Sequence, residues 1–397
     1  MPVGAAWTPW FPATCSLVVL VVLILETAAA SMAGRVALVT GSSAGIGKEI
    51  ARRLHETGAD VFVSGRDLGR CERTIEEIRG SSPGSGTLTP LPMDLADFAS
   101  VRAAAAALAG AGRPLHYLFL NAGMLYALPP QTHAGPWLTE AGHDHLFAAN
   151  HLGHFLLCNL LLPLLRESAG DGMTEGGYDN LFAANLQHFL AGETPPSAHI
   201  PPGAGAARSR VIVTSSIIHW LGRPRDLFRE HASLERAGVF EKFRMYGTSK
   251  LANVLFAYEL QRRLDAEGAS VDVAVVTPGL VATEIGNRVR GGPSRISRLP
   301  LAVHPRRGAD SALFAATSAE VATAPQSFIV PYFAPPFERP WSFLSPLMVV
   351  WELLQKLSWR PRISRSSPDS YDKDLAKRLW LFSCEAVGIP PPQEARE

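Results

Sequence analysis

RVALVTGSSAGIG, running from Arg35 to Gly47, is the stretch whose reading decides the fold. Arg35 to Thr40 alternates into a short apolar strand. Gly41, Ser42, Ser43, Ala44, Gly45, Ile46 and Gly47 follow as a glycine-rich turn, and a helix-compatible run continues to Glu56. Strand, glycine turn and helix in that order make a phosphate cradle: the glycines let the backbone turn tightly and approach closely, and the helix N-terminus offers free N–H groups to a pyrophosphate. Glycines also serve plain loop sterics, so the neighbouring segments must decide.

They agree. Asp60 to Ser64 reads as a second strand that ends in Gly65-Arg66-Asp67. An acidic residue near the end of such a strand would hold the ribose 2′-hydroxyl of NAD(H). Gly65 takes that place and Arg66 follows, and a guanidinium there grips a 2′-phosphate. NADP(H) is therefore preferred over NAD(H), although Asp67, and the reading of Arg66 as a plain surface cation, keep the alternative open. Leu88–Met93 gives a third strand closing with Asp94-Leu95, and Leu115–Leu120 a fourth closing with Asn121-Ala122-Gly123. Arg210–Ser216 is a fifth, ending in hydroxyls; Tyr246–Lys250 opens a helix through Leu264; Val271–Val276 is a sixth, followed by Thr277-Pro278-Gly279 and Thr283. Strand, turn and helix repeating in this way predict an α/β fold, a doubly wound Rossmann-type parallel sheet. Ligands in such sheets bind outside the carboxyl ends of the strands, where each of these motifs falls.

Composition narrows the class. Of 397 residues 47% are apolar and 18% charged, which excludes disorder throughout. With 37 basic and 36 acidic side chains the net charge is +1, so no electrostatic footprint for nucleic acid exists. Cys15, Cys71, Cys158 and Cys384 lie far apart, against a disulfide scaffold or zinc knuckle. His143, His145, His151 and His154 cluster without an acidic or thiol ligand set, so no metal is expected.

TGSSAGIG at Thr40–Gly47, NAG at Asn121–Gly123, NHLGHF at Asn150–Phe155, TSS at Thr214–Ser216, YGTSK at Tyr246–Lys250 and Pro278-Gly279 stand in one order. In this the chain resembles the short-chain dehydrogenase/reductase superfamily, and within it the retinol-dehydrogenase-like membrane reductases. The resemblance covers Gly34 to Gly279 and resumes in a closing helix at Leu375–Gly388; it departs where Leu120 replaces the usual first asparagine. It implies a hydride transfer between nicotinamide and an alcohol or carbonyl carbon. Tyr246 would be general acid or base, Lys250 its neighbour at i, i+4 and holder of the ribose hydroxyls, and Ser216 (Ser215 as backup) the partner of the substrate oxygen. Asn150 would help hold a proton-relaying water. Asp94, with Leu95 beside it, would contact adenine; Asn121, Ala122 and Gly123 would line the cofactor's floor; Thr283, beyond Pro278 and Gly279, would hold the carboxamide. A lysine beside a phenol favours the phenolate, so the Tyr246 pKa is expected to be lowered. Turn and helix caps are the plainer readings of Asp94 and Thr283.

Thr139–Asn150 (TEAGHDHLFAAN) recurs 35 residues on at Thr174–Asn185 (TEGGYDNLFAAN) with nine identities in twelve. An apolar run follows Asn150, whereas Pro, Gly and Ala follow Asn185, so Asn150 is the expected site residue. Three parts result: residues 1–33, a hydrophobic anchor or targeting segment around CSLVVLVVLIL at Cys15–Leu25; 34–330, the catalytic domain with an insertion at 170–208; and 331–397, an extension opening on the apolar run Trp341–Trp359 that reads either as membrane-facing or as core. In the family the Arg-rich stretch after Thr283 forms a lid. Arg35, Lys48, Arg52 and Arg53 after the first segment place the catalytic domain in the cytosol, and the resemblance points to the endoplasmic reticulum. The partners expected are a lipophilic, retinoid-like small molecule and a membrane surface, with homodimerisation left open and no nucleic acid. A ketosteroid or sterol reductase is the rival within the class, and a nucleotide-binding scaffold without turnover the rival outside it.

Overall fold

In the computed structural model, β1 (Val36–Val39) is buried along its whole length, because both of its faces are covered. Val36 and Leu38 join one apolar cluster and Ala37 and Val39 the other, the period-two alternation of a strand between two helical layers. The structure describes residues 32–125, 138–169, 208–228, 239–283, 302–318, 320–321, 326–330 and 361–391. The apolar run of the expected anchor, the second repeat, the apolar run 341–359 and all but residues 302–307 of the lid stretch 284–307 lie outside them.

Seven more strands flank β1: β2 (Asp60–Gly65), β3 (Leu88–Pro92), β4 (Tyr117–Leu120), β5 (Ser209–Thr214), β6 (Val271–Val276), β7 (Phe328–Val330) and β8 (Arg362–Ser364). Their order is β3-β2-β1-β4-β5-β6-β7-β8, with every pair parallel except β7 with β8. The α/β class and the first six strands match the sequence reading; β7 and β8 were not anticipated. Strand order reverses between β1 and β4, and a crevice opens at such a switch point.

One layer contains α1 (Gly45–Glu56), α2 (Leu68–Ser81) and α6 (Asp310–Thr317), packed through Ile50, Leu54, Ile75, Ile78, Ala312 and Ala315. The other contains α3 (Phe98–Gly110), α4 (Gly153–Ser168), α5 (Val239–Ala266) and α7 (Lys373–Val387). In α4 twelve of sixteen residues are buried, eight of them leucine or phenylalanine, each worth roughly 1.5–3 kcal/mol of transfer free energy. The run His145–Ser168 is long and apolar enough to cross a membrane, yet 83% of its apolar window is buried inside the fold, as in a core helix.

Two boundaries differ from expectation. The helix carrying YGTSK starts at Val239, so Tyr246 sits two turns inside it rather than at its opening. Residues 361–391, assigned to an extension beyond 330, close the sheet with β8 and lay α7 on the same apolar cluster as α4 and α5, through Leu379, Trp380 and Cys384. Trp380 packs edge-on to Phe155 at 5.0 Å and stacks on Phe256 at 5.9 Å. Helix α7 ends where Gly388 takes a left-handed φ of 66° and the Ile389 N–H returns to the Cys384 carbonyl.

Candidate active site

The glycine turn is shaped by what it cannot contain. Gly41 has φ +67°, and a Cβ there would stand 2.9 Å from Ala122. A Cβ at Gly47 would meet the Gly41 carbonyl at 2.5 Å and Asn121 Nδ2 at 2.6 Å. Ser42 is fully buried: its hydroxyl donates to the Val39 carbonyl and accepts from the Ser64 N–H, so its side chain clasps β1 to β2. Gly45, with φ +57°, lies within van der Waals reach of Thr283, which brings that distant residue to the turn. Asp67, Asp97 and Asp372 cap α2, α3 and α7, but α1 starts at Ala44 with no side chain on its N–H groups.

At the end of β2, Gly65 faces Ser43: a Cβ would lie 2.6 Å from the Ser43 hydroxyl, which leaves no space for an acidic side chain. Arg66 next to it is exposed. Asp67 accepts from the Arg70 N–H at 2.7 Å, so the carboxylate that clouded the sequence reading is a helix cap. Asp94 accepts from the Ala96 N–H at 3.0 Å, the turn-cap role weighed against an adenine contact; Leu95 beside it is buried, and its carbonyl lies where a Cβ on Gly153 would be.

Thr40 ties the turn to the floor beside it. Its hydroxyl accepts from the N–H groups of Asn121 and Ala122 at 2.9 and 3.0 Å, and its carbonyl accepts from Asn121 Nδ2. His154 Nδ1 lies 3.1 Å from the Asn150 carbonyl, which can only accept; that nitrogen therefore carries the proton, and Nε2 accepts from the Thr40 hydroxyl at 2.9 Å. Burial pushes His154 down to about 3, keeping it in that neutral form.

Asn150 sits in a single π-turn, Ala148–Leu152, leading into α4; such turns are frequent at functional sites. Its amide oxygen accepts from the Met124 N–H at 2.8 Å, and its nitrogen donates to the Met124 carbonyl and to Ser249 Oγ, both at 3.0 Å. The first copy of the repeat thus supplies a buried amide at the crevice. The second copy lies outside the described residues.

Ser215 and Ser216 separate cleanly. Ser215 donates to the Lys250 carbonyl at 2.9 Å and is buried, a structural bond. Ser216 is partly exposed and pairs its hydroxyl with that of Tyr246. Lys250, one turn beyond Tyr246, is buried; its Nζ donates to the Thr214 carbonyl at 3.1 Å and lies 5.8 Å from the Tyr246 ring centroid. A Cβ on Gly123 would come 3.2 Å from that Nζ, a tight approach, so the NAG loop and the lysine lie close together.

The titration of the pair corrects the sequence reading. Burial pushes the Tyr246 phenol up to about 12, with the Ser216 hydrogen bond pulling the other way, and pushes Lys250 down to about 8. The expected lowering of Tyr246 is not present, because burial of the phenol outweighs the Ser216 hydrogen bond; the Lys250 ammonium donates to the Thr214 carbonyl. What the corner holds is a proton-loaded phenol bonded to a hydroxyl.

The sequence reading gave no site role to His154, Ser249 or Gly247. The i, i+4 spacing of Asn150 and His154 was the available signal for the first, and YGTSK itself contained the other two.

The sequence and the fold have counterparts among known proteins. The family model described as short chain dehydrogenase matches residues 35–173. Mouse retinol dehydrogenase 12 is 31% identical over 359 residues, covering 90% of this chain and 87% of that protein. The chain belongs to the short-chain dehydrogenase/reductase family. Human retinol dehydrogenase 14 is likewise 31% identical, covering 90% and 88%. Mouse polyprenol dehydrogenase is 37% identical over 254 residues, a match that spans 64% of this chain and 61% of that protein. Among solved structures, a protein from Mycobacterium paratuberculosis superposes with a TM-score of 0.58 at 25% identity, over 91% of this chain and 96% of that one. An NADP active-site complex of Pseudomonas aeruginosa RhlG superposes at 0.51 with 26% identity, over 76% and 95%. The chain is thus an oxidoreductase of a family that uses NAD(P)(H).

Proposed function

We propose that the protein is an NADP(H)-dependent oxidoreductase that interconverts a lipophilic alcohol and its carbonyl compound, with Tyr246 as general acid and base. The observation that carries this reading is the Ser216–Tyr246 hydroxyl pair, with the Lys250 ammonium one helical turn beyond, 5.8 Å from the Tyr246 ring centroid. The bound nicotinamide would supply the hydride. Its place fits a cradle that side chains would fill: Gly41, Ser43, Gly45, Ile46 and Gly47 for the pyrophosphate on the uncapped N-terminus of α1, and Asn121, Ala122 and Gly123 for the floor. Thr283, beyond Pro278 and Gly279, would meet the carboxamide, Lys250 the ribose hydroxyls, and Asp94 the adenine through its second oxygen. Arg66, exposed where Gly65 and Ser43 exclude a carboxylate, would take the 2′-phosphate.

In the reducing direction Ser216 donates a hydrogen bond to the carbonyl oxygen and steadies the charge that develops there. Tyr246, protonated at neutral pH as any phenol is, delivers the proton to that oxygen. Oxidation runs the same proton backwards. The substrate class follows from the relatives: retinol and polyprenol are both isoprenoid primary alcohols with an adjacent double bond. A long unsaturated isoprenoid alcohol or aldehyde is the substrate proposed here, and the apolar stretches 15–25 and 341–359 would keep the enzyme at the membrane where such molecules dissolve.

The test is absorbance at the NADPH band with purified protein and a panel of retinal, an isoprenoid aldehyde, steroid ketones and short aliphatic aldehydes. Turnover is expected for the isoprenoids. Preference for a steroid ketone would move the assignment to a ketosteroid reductase, and tight NADPH binding with no turnover on any of them would make the chain a nucleotide-binding scaffold.

A further inference from the structure

Ser216 caps a turn of 3₁₀ helix, Ile217–Leu221, that crosses α5 at very short range. Two glycines permit the crossing: a Cβ on Gly247 would lie 2.5 Å from the Ile218 carbonyl, and one on Gly222 would lie 2.7 Å from the Gly247 carbonyl. The crossing sets how near the turn stands to the helix. A second contact ties the turn to a distant part of the chain. His219 Nδ1 is 2.7 Å from the Ser216 carbonyl, a group that only accepts, so this nitrogen carries the proton. Nε2 is then the acceptor, and the Ser367 backbone N–H reaches it at 2.9 Å. The ring is buried, packs 5.0 Å from Phe328 of β7, and stays neutral because burial pushes it down to about 4.

Ser367 is 148 residues further along, between β8 and α7. Its surroundings are themselves anchored, since Ser366 Oγ bonds to the Tyr258 hydroxyl of α5 at 2.8 Å and to Ser370 Oγ at 2.6 Å. A similar link exists at the other side of the crevice, where His151, next to Asn150, pairs with Ser383 Oγ of α7 at 3.0 Å.

We propose that His219 is a positioning residue, whose imidazole carries a hydrogen-bond chain from Ser367 to Ser216 and so makes segment 361–391 a support of the reactive hydroxyl. The proposal rests on the reading of Ser216 and Tyr246 as the reacting pair. The imidazole does not reach the substrate oxygen; it holds the carbonyl of the residue whose hydroxyl does. When the link is cut, the His219 N–H still closes the turn on the Ser216 carbonyl at 3.0 Å, so the turn persists but its orientation loosens.

Four variants test it: His219→Asn, His219→Gln, Ser367→Pro and the double variant Ser216→Ala/His219→Gln, beside Ser216→Ala alone. Asparagine places a donor near the Nδ1 position and glutamine an acceptor near the Nε2 position, so each keeps one end of the link. Proline at 367 removes the donor N–H where φ is already −62°, the angle its ring imposes. With NADPH and the best carbonyl of the panel, kcat is expected to fall about 10- to 100-fold in the three link variants, the range for a small misplacement at a reacting centre. The NADPH dissociation constant should stay within about twofold, and His219→Gln should add nothing to the loss already caused by Ser216→Ala. Full kcat in Ser367→Pro, or losses that multiply in the double variant, would overturn the proposal. If His219→Gln fails to fold, Ser367→Pro decides; failure of both to fold counts against positioning and for a purely structural role. If the wild type turns over no carbonyl, the reading of the site fails by itself. Hydrogen exchange of the 217–222 amides in Ser367→Pro then still reports the link, with faster exchange supporting it and unchanged exchange refuting it.

Discussion

Gly41, Gly47 and Gly65, around the turn between β1 and β2, leave no room for side chains, whereas the corner between β5 and α5 packs in a phenol, an ammonium and a pair of hydroxyls. At the first corner the buried Ser42 hydroxyl is absorbed by backbone, and helix α1 is left uncapped while Asp67 caps α2 next door. At the second corner burial has moved the phenol up to about 12 and the ammonium down to about 8. The difference teaches how one crevice divides labour. On the proposed function, the first corner would be a mould for negative charge that arrives with a ligand, and the second would be a proton source. Substitutions at one should leave the property of the other intact.

The largest effect expected is at the proton source. Tyr246→Phe should lower kcat by about 10²- to 10⁴-fold, the usual range for a lost general acid, and leave the NADPH dissociation constant from fluorescence titration unchanged. Weakened NADPH binding in that variant would mean the two corners are not separable. Next, Arg66→Ala should weaken NADPH by about 10- to 100-fold, as for a lost charge-assisted hydrogen bond, with NADH affinity and saturated kcat preserved; equal losses for both dinucleotides would remove the phosphate clamp.

Acid probes the fold as a whole, through its buried imidazoles. His116, His151, His154 and His219 are buried and held at about 4, 3, 3 and 4. Below pH 6.5 the unfolded chain binds protons at these positions that the folded chain refuses, so stability falls as the pH drops toward 4, by about 1.4 kcal/mol per pH unit for each imidazole not offset. Asp144 and Glu167, raised by burial to about 7, work in the opposite sense, since the folded state takes up their protons first. Four imidazoles against two carboxyls leave a net loss. Urea midpoints measured from pH 7 to pH 5 should decline, and a constant midpoint would show that these rings are not buried in solution. Smallest of all, Asp67→Ala should cost about 1 kcal/mol as a lost helix cap and leave the NADPH-to-NADH preference untouched; a shift in that preference would return Asp67 to the cofactor site.

Much of this was legible in the sequence, for local reasons. The first six strands are apolar runs ended by Gly, Asp, Asn or Ser, so composition marked both their cores and their limits. β7 and β8 escaped because each is three residues long, and β8 is an edge whose Arg362 and Ile363 are exposed. Motif spacing brought Tyr246, Lys250 and Asn150 toward one crevice but gave no distances, so it missed that Lys250 is aimed at the Thr214 carbonyl and that Tyr246 is raised rather than lowered. His154 and His219 were illegible for a different reason. Their partners, Thr40 and Ser367, stand 114 and 148 residues away, and nothing local announces a bond across that span.

Segment 361–391 supplies the outer strand of the sheet and a helix over α5, and it is the last of the described parts to leave the ribosome. Chains grow from their N-terminus and domains fold as units during synthesis. A nascent polypeptide that already carries Tyr246 and Lys250 therefore still has an unfinished sheet margin and bare leucine side chains on α5. The sheet should therefore close only once residues 361–391 have been made, and a premature stop upstream of Ser367 should yield a species for chaperones and proteases rather than a weak catalyst.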